Sequence, residues 1–178
     1  DEIVFVVGYK EDMIKEYLAQ SPLAKKFTIT YAHQQKQLGT GNALLSAKEI
    51  HGRFLALNGD DLYSREDIRA CLKQESAILA QEVQAPEHFG ILEMENGFLK
   101  AIAEKPETPP SNLASTGLFV LDTGVFDIKT EKSLRGEWEL TDTVTAFAGK
   151  KNVAVVKATS WFPLGYPWHL LEANQALL

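Results

Sequence analysis

Two polar segments of the sequence carry residue types suited to phosphorylated ligands. Residues 34–43 read Gln-Gln-Lys-Gln-Leu-Gly-Thr-Gly-Asn-Ala and run directly into an apolar helical pattern. The two glycines allow the backbone to approach a flat or anionic ligand, and a helix that begins near Thr40 offers unpaired N–H groups. The second segment contains the adjacent carboxylates Asp60 and Asp61, which follow a short apolar run. The first segment favours a nucleotide as ligand.

Both segments also have ordinary structural interpretations, because polar glycine-containing loops open many helices that bind nothing. The dipeptide Asn58-Gly59 usually indicates a hairpin, but Ser64–Asp67 resembles a capping box that starts a helix instead. The acidic pair is therefore expected at the carboxyl end of a strand, where open α/β sheets bind ligands. This context favours a ligand-binding Asp60 over a solvated loop aspartate.

The elements that position these segments alternate between strand and helix patterns. Strands are predicted at Ile3–Val7, Phe27–Tyr31 and Arg53–Leu57, with helices between them, which is typical of βαβ units and a parallel sheet. Further along, the pattern predicts a hairpin across Asn96-Gly97 and a mixed sheet. The remaining predicted elements are strands at Ser76–Val83, Phe89–Glu93, Phe98–Glu104, Leu113–Leu121 and Asn152–Ala158, and helices after Ser64, after Asp122, at Glu139–Ala148 and at Trp168–Leu178.

Composition excludes several classes of partner. The 178 residues carry a net charge of -6 and no basic block, which argues against nucleic acid and anionic membrane surfaces. No apolar run is long enough to span a bilayer. The single cysteine, Cys71, cannot form an internal disulfide and is expected inside a helix; it favours a reducing, cytoplasmic setting. The four histidines show no metal-site spacing and are interpreted as structural.

Seven motifs, taken in order, resemble those of sugar-1-phosphate nucleotidyltransferases, especially N-acetylglucosamine-1-phosphate uridylyltransferases and glucose-1-phosphate thymidylyltransferases. The resemblance covers nearly the whole chain. The motifs are Gln34-x-x-Gln37-Leu38-Gly39-Thr40-Gly41, Leu57–Asp60, Phe89–Ile91, Ala103–Pro106, Thr116–Val120, Gly136–Asp142 and Gly165–Asn174. The resemblance implies an α/β, Rossmann-like mixed and mostly parallel sheet with helices on both faces, formed by one domain over residues 1–178.

The resemblance also implies the reaction and its residues. A nucleoside triphosphate, with UTP favoured and dTTP possible, would react with N-acetylglucosamine or glucose 1-phosphate, giving a product such as UDP-N-acetylglucosamine, with release of pyrophosphate and assistance from Mg²⁺. Gln34 would contact the base, with Gly39 and Thr40 beneath base and ribose. Asp60 would bind Mg²⁺, and Lys105 would hold the sugar phosphate. The other implied contacts, on the sugar and phosphate side, are Gly90, Glu104, Ser115, Thr116 and Thr141.

Two departures from the family pattern are visible. The family's first strand, its Gly-x-Gly-Thr-Arg loop and a later Pro-Lys are absent, so the front of the domain is expected to be missing. The family's closing Trp-x-Asp motif, whose aspartate is a second metal ligand, reads Trp161-Phe162-Pro163 here. Pro163 carries no oxygen for a metal. Both departures put catalysis in doubt, and an exposed sheet edge would favour homo-oligomers.

Two alternatives stay open at the level of sequence. A non-catalytic relative that binds a sugar nucleotide, or serves as a partner subunit, is favoured by Pro163. A more remote alternative is an NAD-dependent oxidoreductase, because Gly39-Thr40-Gly41 is followed by an acidic residue, Asp60. Leu44 at the third glycine position opposes that alternative.

Overall fold

The structure, a computed structural model, describes residues 2–177, which form two compact units. The first unit contains the residues up to Ile50 together with Lys129–Thr143, and the second contains His51–Ile128 and the residues from Val144 onward. Among residues 2–177, none of the helices has the length and apolar character needed to cross a bilayer.

The first unit contains the first two strands of the predicted parallel arrangement, whereas the third, Arg53–Leu57, lies in the second unit and pairs antiparallel there. Strands β1 (Glu2–Val7) and β2 (Thr28–His33) pair in parallel, and helix α1 (Glu11–Gln20) connects them. A loop then leads from β2 to the short helix α2 (Thr40–Ser46). The polar segment 34–43 thus follows the carboxyl end of β2, as the sequence predicts.

The second unit contains a six-stranded sheet in the order β3-β8-β5-β9-β7-β6 and a separate two-stranded pair, β4 with β10. The remaining strands of the chain are β3 (Arg53–Leu57), β4 (Asp61–Tyr63), β5 (Ala77–Glu82), β6 (Gly90–Glu95), β7 (Phe98–Glu104), β8 (Leu113–Asp122), β9 (Ala154–Lys157) and β10 (Trp161–Pro163). The remaining helices are α3 (Arg65–Leu72), α4 (Leu140–Ala148) and α5 (His169–Leu177).

The mixed α/β class is confirmed, but the strand pairing is less parallel than expected. Parallel pairs are β1–β2 and β5–β9, whereas β3–β8, β5–β8, β6–β7 and β7–β9 are antiparallel. The cause is the second half of the chain. The β6–β7 hairpin turns at Asn96 and Gly97, which both have positive φ, and the ten-residue β8 runs antiparallel to its neighbours.

The core of the second unit lies where β5 and β8 cross its centre. Residues 77–80 and 118–121 are at most 1% exposed. Burying each of the larger aliphatic side chains contributes about 1.5–3 kcal/mol relative to leaving it exposed. Cys71 packs into this core from α3, as predicted, and burial raises the pKa of its thiol to about 11.

Candidate functional site

Gln34 is fixed in one orientation by two hydrogen bonds within the first unit. Its side-chain Nε2 donates to the Gly39 carbonyl oxygen at 3.1 Å and to Asn42 Oδ1 at 3.0 Å. A backbone carbonyl can only accept, so the NH₂ group must face it and the orientation of the amide is determined. Both hydrogens of the amide are used, and Oε1 is the group that Gln34 can offer to a ligand.

Gly39 and Gly41 pack against the backbone of residues 138–139. Gly39 has φ +103°, and a Cβ there would lie 2.4 Å from the Trp138 carbonyl oxygen. That oxygen accepts from the Gly41 N–H at 2.8 Å, and the Trp138 N–H donates to the Leu38 carbonyl at 2.8 Å. Close approach of two backbone segments therefore explains both glycines. The dinucleotide-binding alternative loses its basis, because packing on residues 138–139 accounts for both glycines.

Thr40, the first residue of α2, contacts the beginning of α4, where Thr141 lies. The Leu140 N–H, the first of that helix, donates to Thr40 Oγ1 at 3.1 Å. Thr40 therefore satisfies one of the unpaired donors of α4. Thr141 follows directly and is half-buried. Four predicted site residues thus lie on two segments of the first unit that pack together. Gln34, Gly39 and Thr40 belong to one segment, and Thr141 belongs to the other.

The acidic pair lies in the second unit, with Asp60 in the loop after β3 and Asp61 as the first residue of β4. Asp60 is exposed, and Asp61 is half-buried. Asp61 Oδ1 accepts from the Leu164 N–H at 3.3 Å, and Oδ2 accepts from Asn58 Nδ2 at 3.4 Å and lies 3.3 Å from the Tyr63 hydroxyl oxygen. Burial raises the pKa of Asp61, and the neighbouring charge of Asp60 adds to that rise.

Residues 115–117 of β8 lie beside the acidic loop. The Tyr63 hydroxyl donates to the Thr116 carbonyl at 2.8 Å, and the Asn58 N–H donates to the Gly117 carbonyl at 3.3 Å. Burial raises the pKa of Tyr63, which keeps its phenol protonated as a donor. Thr116 itself is 1% exposed, and its hydroxyl donates to the Leu79 carbonyl at 3.0 Å. A ligand contact from Thr116 would therefore have to come from its backbone.

Three of the residues assigned to the sugar side meet where β6 begins and β7 ends. Gly90 pairs directly with Glu104, and the Lys105 N–H donates to the Phe89 carbonyl at 3.0 Å. The pairing of Ile91 with Ala114 brings the start of β6 close to Ser115. Lys105 is exposed and has φ +43°, an unusual conformation for a residue with a side chain. Within residues 2–177 its ammonium forms no ion pair.

Asp67 is a buried charge whose only visible role in the sequence is as part of a capping box. It is 2% exposed and accepts hydrogen bonds from the Thr159 N–H, the Thr159 hydroxyl and the Ser160 N–H at 2.9–3.2 Å. Burial alone would raise the pKa of Asp67, but these bonds and one with Ser64 hold it below its usual value. Asp67 thereby fixes the chain just before β10. An aspartate at the third helical position gave no signal of this distant contact.

The β4–β10 pair, which the sequence did not predict, places Pro163 directly opposite Asp61. In proteins Mg²⁺ usually keeps several water ligands and is bound by one or two carboxylates together with phosphate oxygens of the substrate. The exposed carboxylate of Asp60 meets that need. In the part of the chain that the structure describes, no cluster of three or more histidine, cysteine or acidic residues could hold a metal by itself.

Two surface depressions are present, and the first is lined by Asn42, the hydrogen-bond partner of Gln34. One of about 300 Å³ in the first unit is lined by His33, Gln35, Lys36, Leu38, Asn42 and Ser46. One of about 190 Å³ in the second unit is lined by residues of β5, Leu113, Lys157 and Ala158. Neither is lined by Asp60, Glu104 or Lys105.

Comparison with known proteins gives the chain's family. The family model described as nucleotidyl transferase matches residues 1–178. The bifunctional protein GlmU of Methanocaldococcus jannaschii is 37% identical over the whole chain, which spans 43% of that relative's length. The UTP–glucose-1-phosphate uridylyltransferase AglF of Haloferax volcanii is 29% identical over 99% of the chain and 77% of its own length.

A solved structure gives the same fold. UDP-glucose pyrophosphorylase complexed with UDP-glucose superposes with a TM-score of 0.84 at 23% identity, covering 99% of this chain and 80% of that one. The fold likeness and the match of the family model over the full sequence agree. The chain therefore belongs to the family of sugar-1-phosphate nucleotidyltransferases.

Proposed function

We propose that this chain carries the nucleotidyltransfer site of a protein that joins UTP, or less well dTTP, to glucose or N-acetylglucosamine 1-phosphate. In this reaction an oxygen of the sugar phosphate attacks the α-phosphorus of the nucleotide. The new phosphorus–oxygen bond forms as the bond to the β-phosphate breaks, and pyrophosphate leaves. AglF, whose name states UTP and glucose 1-phosphate, supports this choice of substrates.

The orientation of Gln34 is the observation that carries the choice of nucleotide. With both amide hydrogens donated to Gly39 and Asn42, the side chain offers an acceptor, Oε1. Uracil and thymine present an N–H donor at N3, whereas cytosine presents an acceptor at that position. A locked acceptor therefore matches uracil or thymine and opposes cytosine.

On the second unit, Asp60 would hold Mg²⁺ and Lys105 would hold the sugar phosphate. A bound Mg²⁺ would neutralise phosphate charge and stabilise the leaving pyrophosphate. Lys105 supports this role because its exposed ammonium forms no ion pair within the described residues. Its left-handed backbone costs about 1 kcal/mol or more, and such outliers concentrate at functional sites. Glu104, Gly90 and Ser115 would contact sugar hydroxyls beside it.

The test is base selectivity measured as pyrophosphate release. With Mg²⁺ and each sugar 1-phosphate, kcat/KM for UTP and dTTP should exceed that for CTP by at least about 100-fold, because a mismatched buried polar contact is strongly rejected. Gln34→Leu should remove most of that difference, while Gln37→Leu, an exposed glutamine of the same loop, should keep it. Equal rates with CTP and UTP in the unmodified chain would contradict the role of Gln34.

Pro163 favours a second candidate, a relative that binds a sugar nucleotide without turning it over. Pro163 faces Asp61 across the β4–β10 pair and supplies no oxygen to a metal there. Under this alternative, UDP-glucose raises the melting temperature but no pyrophosphate forms from any triphosphate. Turnover of UTP with either sugar 1-phosphate excludes it.

A further inference from the structure

Asp61 and Pro163 project from the same side of the β4–β10 pair. The two residues are directly opposite in the antiparallel register. Directly opposite residues of an antiparallel pair share a face, with Cβ atoms about 4.5–5.5 Å apart. The Asp61 carboxylate can therefore reach the same space as a carboxylate at position 163. Position 163 holds proline, which has no carboxylate.

The Asp61 carboxylate is poorly compensated within the protein. The two groups that donate to it, Asn58 Nδ2 and the Leu164 N–H, lie 3.4 and 3.3 Å away, beyond the usual range of about 2.5–3.2 Å. No lysine, arginine or histidine among residues 2–177 forms an ion pair with Asp61. A half-buried carboxylate with weak partners has lone pairs left for a cation.

The indole of Trp161 provides an independent indication of a ligand. Trp161 is 7% exposed, and its Nε1 has no hydrogen-bond partner. The indole N–H lies near the Asp61 carboxylate, but the two groups are outside hydrogen-bonding geometry. A buried N–H without a partner costs about 1–3 kcal/mol. An oxygen of a metal-bound water or phosphate beside Asp61 would satisfy it.

We propose that Asp61 joins Asp60 as a second carboxylate ligand of the divalent cation and takes the part that Pro163 cannot play. This inference rests on the proposed function, which assigns the cation to Asp60. It adds a ligand to that site and accounts for the tolerance of proline at position 163.

The test measures Mn²⁺ binding directly by electron paramagnetic resonance, with no dependence on turnover. Asp61→Asn, which keeps an acceptor for the Leu164 N–H, should raise the Kd for Mn²⁺ about tenfold or more, and Asp60→Asn should do the same. The double variant Asp61→Asn/Pro163→Asp should return the Kd to within about threefold of the unmodified chain, because position 163 shares the face of position 61. Glu66→Gln, an exposed charge removal on α3, should leave the Kd unchanged.

Circular dichroism and the melting temperature confirm that each variant is folded, and Asp61→Ser replaces the asparagine variant if that one fails to fold. An unchanged Kd in Asp61→Asn together with a raised Kd in Asp60→Asn overturns the role of Asp61 and leaves the proposed function intact. Unchanged values in both variants, or no Mn²⁺ binding by the unmodified chain, overturn both assignments.

Discussion

At the scale of single residues, one buried carboxylate holds the segment that leads into β10. The oxygens of Asp67 accept from three donors, the N–H and hydroxyl of Thr159 and the N–H of Ser160, which lie more than 90 positions further along the chain. These bonds set the start of β10, and β10 in turn places Pro163 opposite Asp61. The position of the acidic site thus depends on a side chain that does not face it.

Asp67→Asn is expected to lower the free energy of unfolding by about 2–3 kcal/mol at pH 7. The amide has one acceptor where the carboxylate has two, and its NH₂ would face the N–H groups of Thr159 and Ser160. Urea denaturation measures the change, with Glu66→Gln on the same helix as the control. A loss below about 0.5 kcal/mol would show that the hydrogen bonds from these three donors contribute little.

The pH dependence of that loss has a definite sign. Because the folded-state pKa of Asp67 is lowered, its stabilisation is fully present above the unfolded value of about 4 and disappears as the pH falls through the folded value. The free energies of unfolding of the native chain and Asp67→Asn should therefore converge below about pH 4. A constant difference from pH 7 to pH 3 would contradict the lowered pKa.

At the scale of elements, the loop before α2 and the segment before α4 form one structure. Leu38, Gly41 and Thr40 exchange hydrogen bonds with residues 138 and 140. The loop that carries Gln34 is thereby fixed by residues about 100 positions away. Packing of this kind keeps the loop rigid and so holds the side-chain amide of Gln34, proposed to contact the base, in a single orientation.

Gly39→Ala is expected to destabilise the chain by about 2 kcal/mol or more. The left-handed φ of +103° disfavours any side chain, and the new methyl group would lie 2.4 Å from the Trp138 carbonyl oxygen. Thermal and urea unfolding measure the loss. Gly165→Ala, where a Cβ meets nothing within 4 Å, is the matched control. Equal stability of the two variants would contradict the close contact.

The local patterns of the sequence predicted most elements and little of their long-range contacts. Periodicity placed α1, β3 and β7 at their observed bounds, and Asn96-Gly97 at the hairpin turn. The strands β4 and β10 were missed, because three residues are too few to show alternation and β10 ends in proline.

Among the site residues, the strand-end position of Asp60 was predictable from its sequence context. The packing of Gly39 on Trp138, the buried hydroxyl of Thr116 and the orientation of Gln34 were not predictable. Each depends on a partner that tertiary folding supplies, often distant in the chain. Residue type and spacing alone do not reveal such partners.

At the scale of the whole molecule, the predicted ligand contacts divide between the two units. Gln34, Gly39, Thr40 and Thr141 belong to the first unit, whereas Asp60, Gly90, Glu104, Lys105 and Ser115 belong to the second. The first unit is discontinuous in sequence, since Lys129–Thr143 completes it. Each unit can therefore be examined for its own ligand.

Amide hydrogen exchange should separate the two sets of contacts. UTP alone is expected to slow exchange at residues 34–42 and 138–141, and glucose 1-phosphate alone at residues 89–91 and 104–105, because a bound ligand protects the amides it orders. Mass spectrometry of peptides from each unit measures the effect, with inorganic phosphate as the control ligand. Protection by UTP confined to the second unit would contradict the assignment of Gln34.

The close contact between Asn58 and Gly117 limits the order in which these two positions can be substituted. A Cβ at position 117 would lie 2.2 Å from Asn58 Nδ2, so a substitution there would displace the Asn58 side chain. Shortening Asn58 first removes a donor from Asp61 and leaves residue 117 with a left-handed φ of +77°. Either first step is harmful alone, and the effect of the second depends on the first. Positions 58 and 117 are therefore expected to show strong epistasis and to change together or remain as they are.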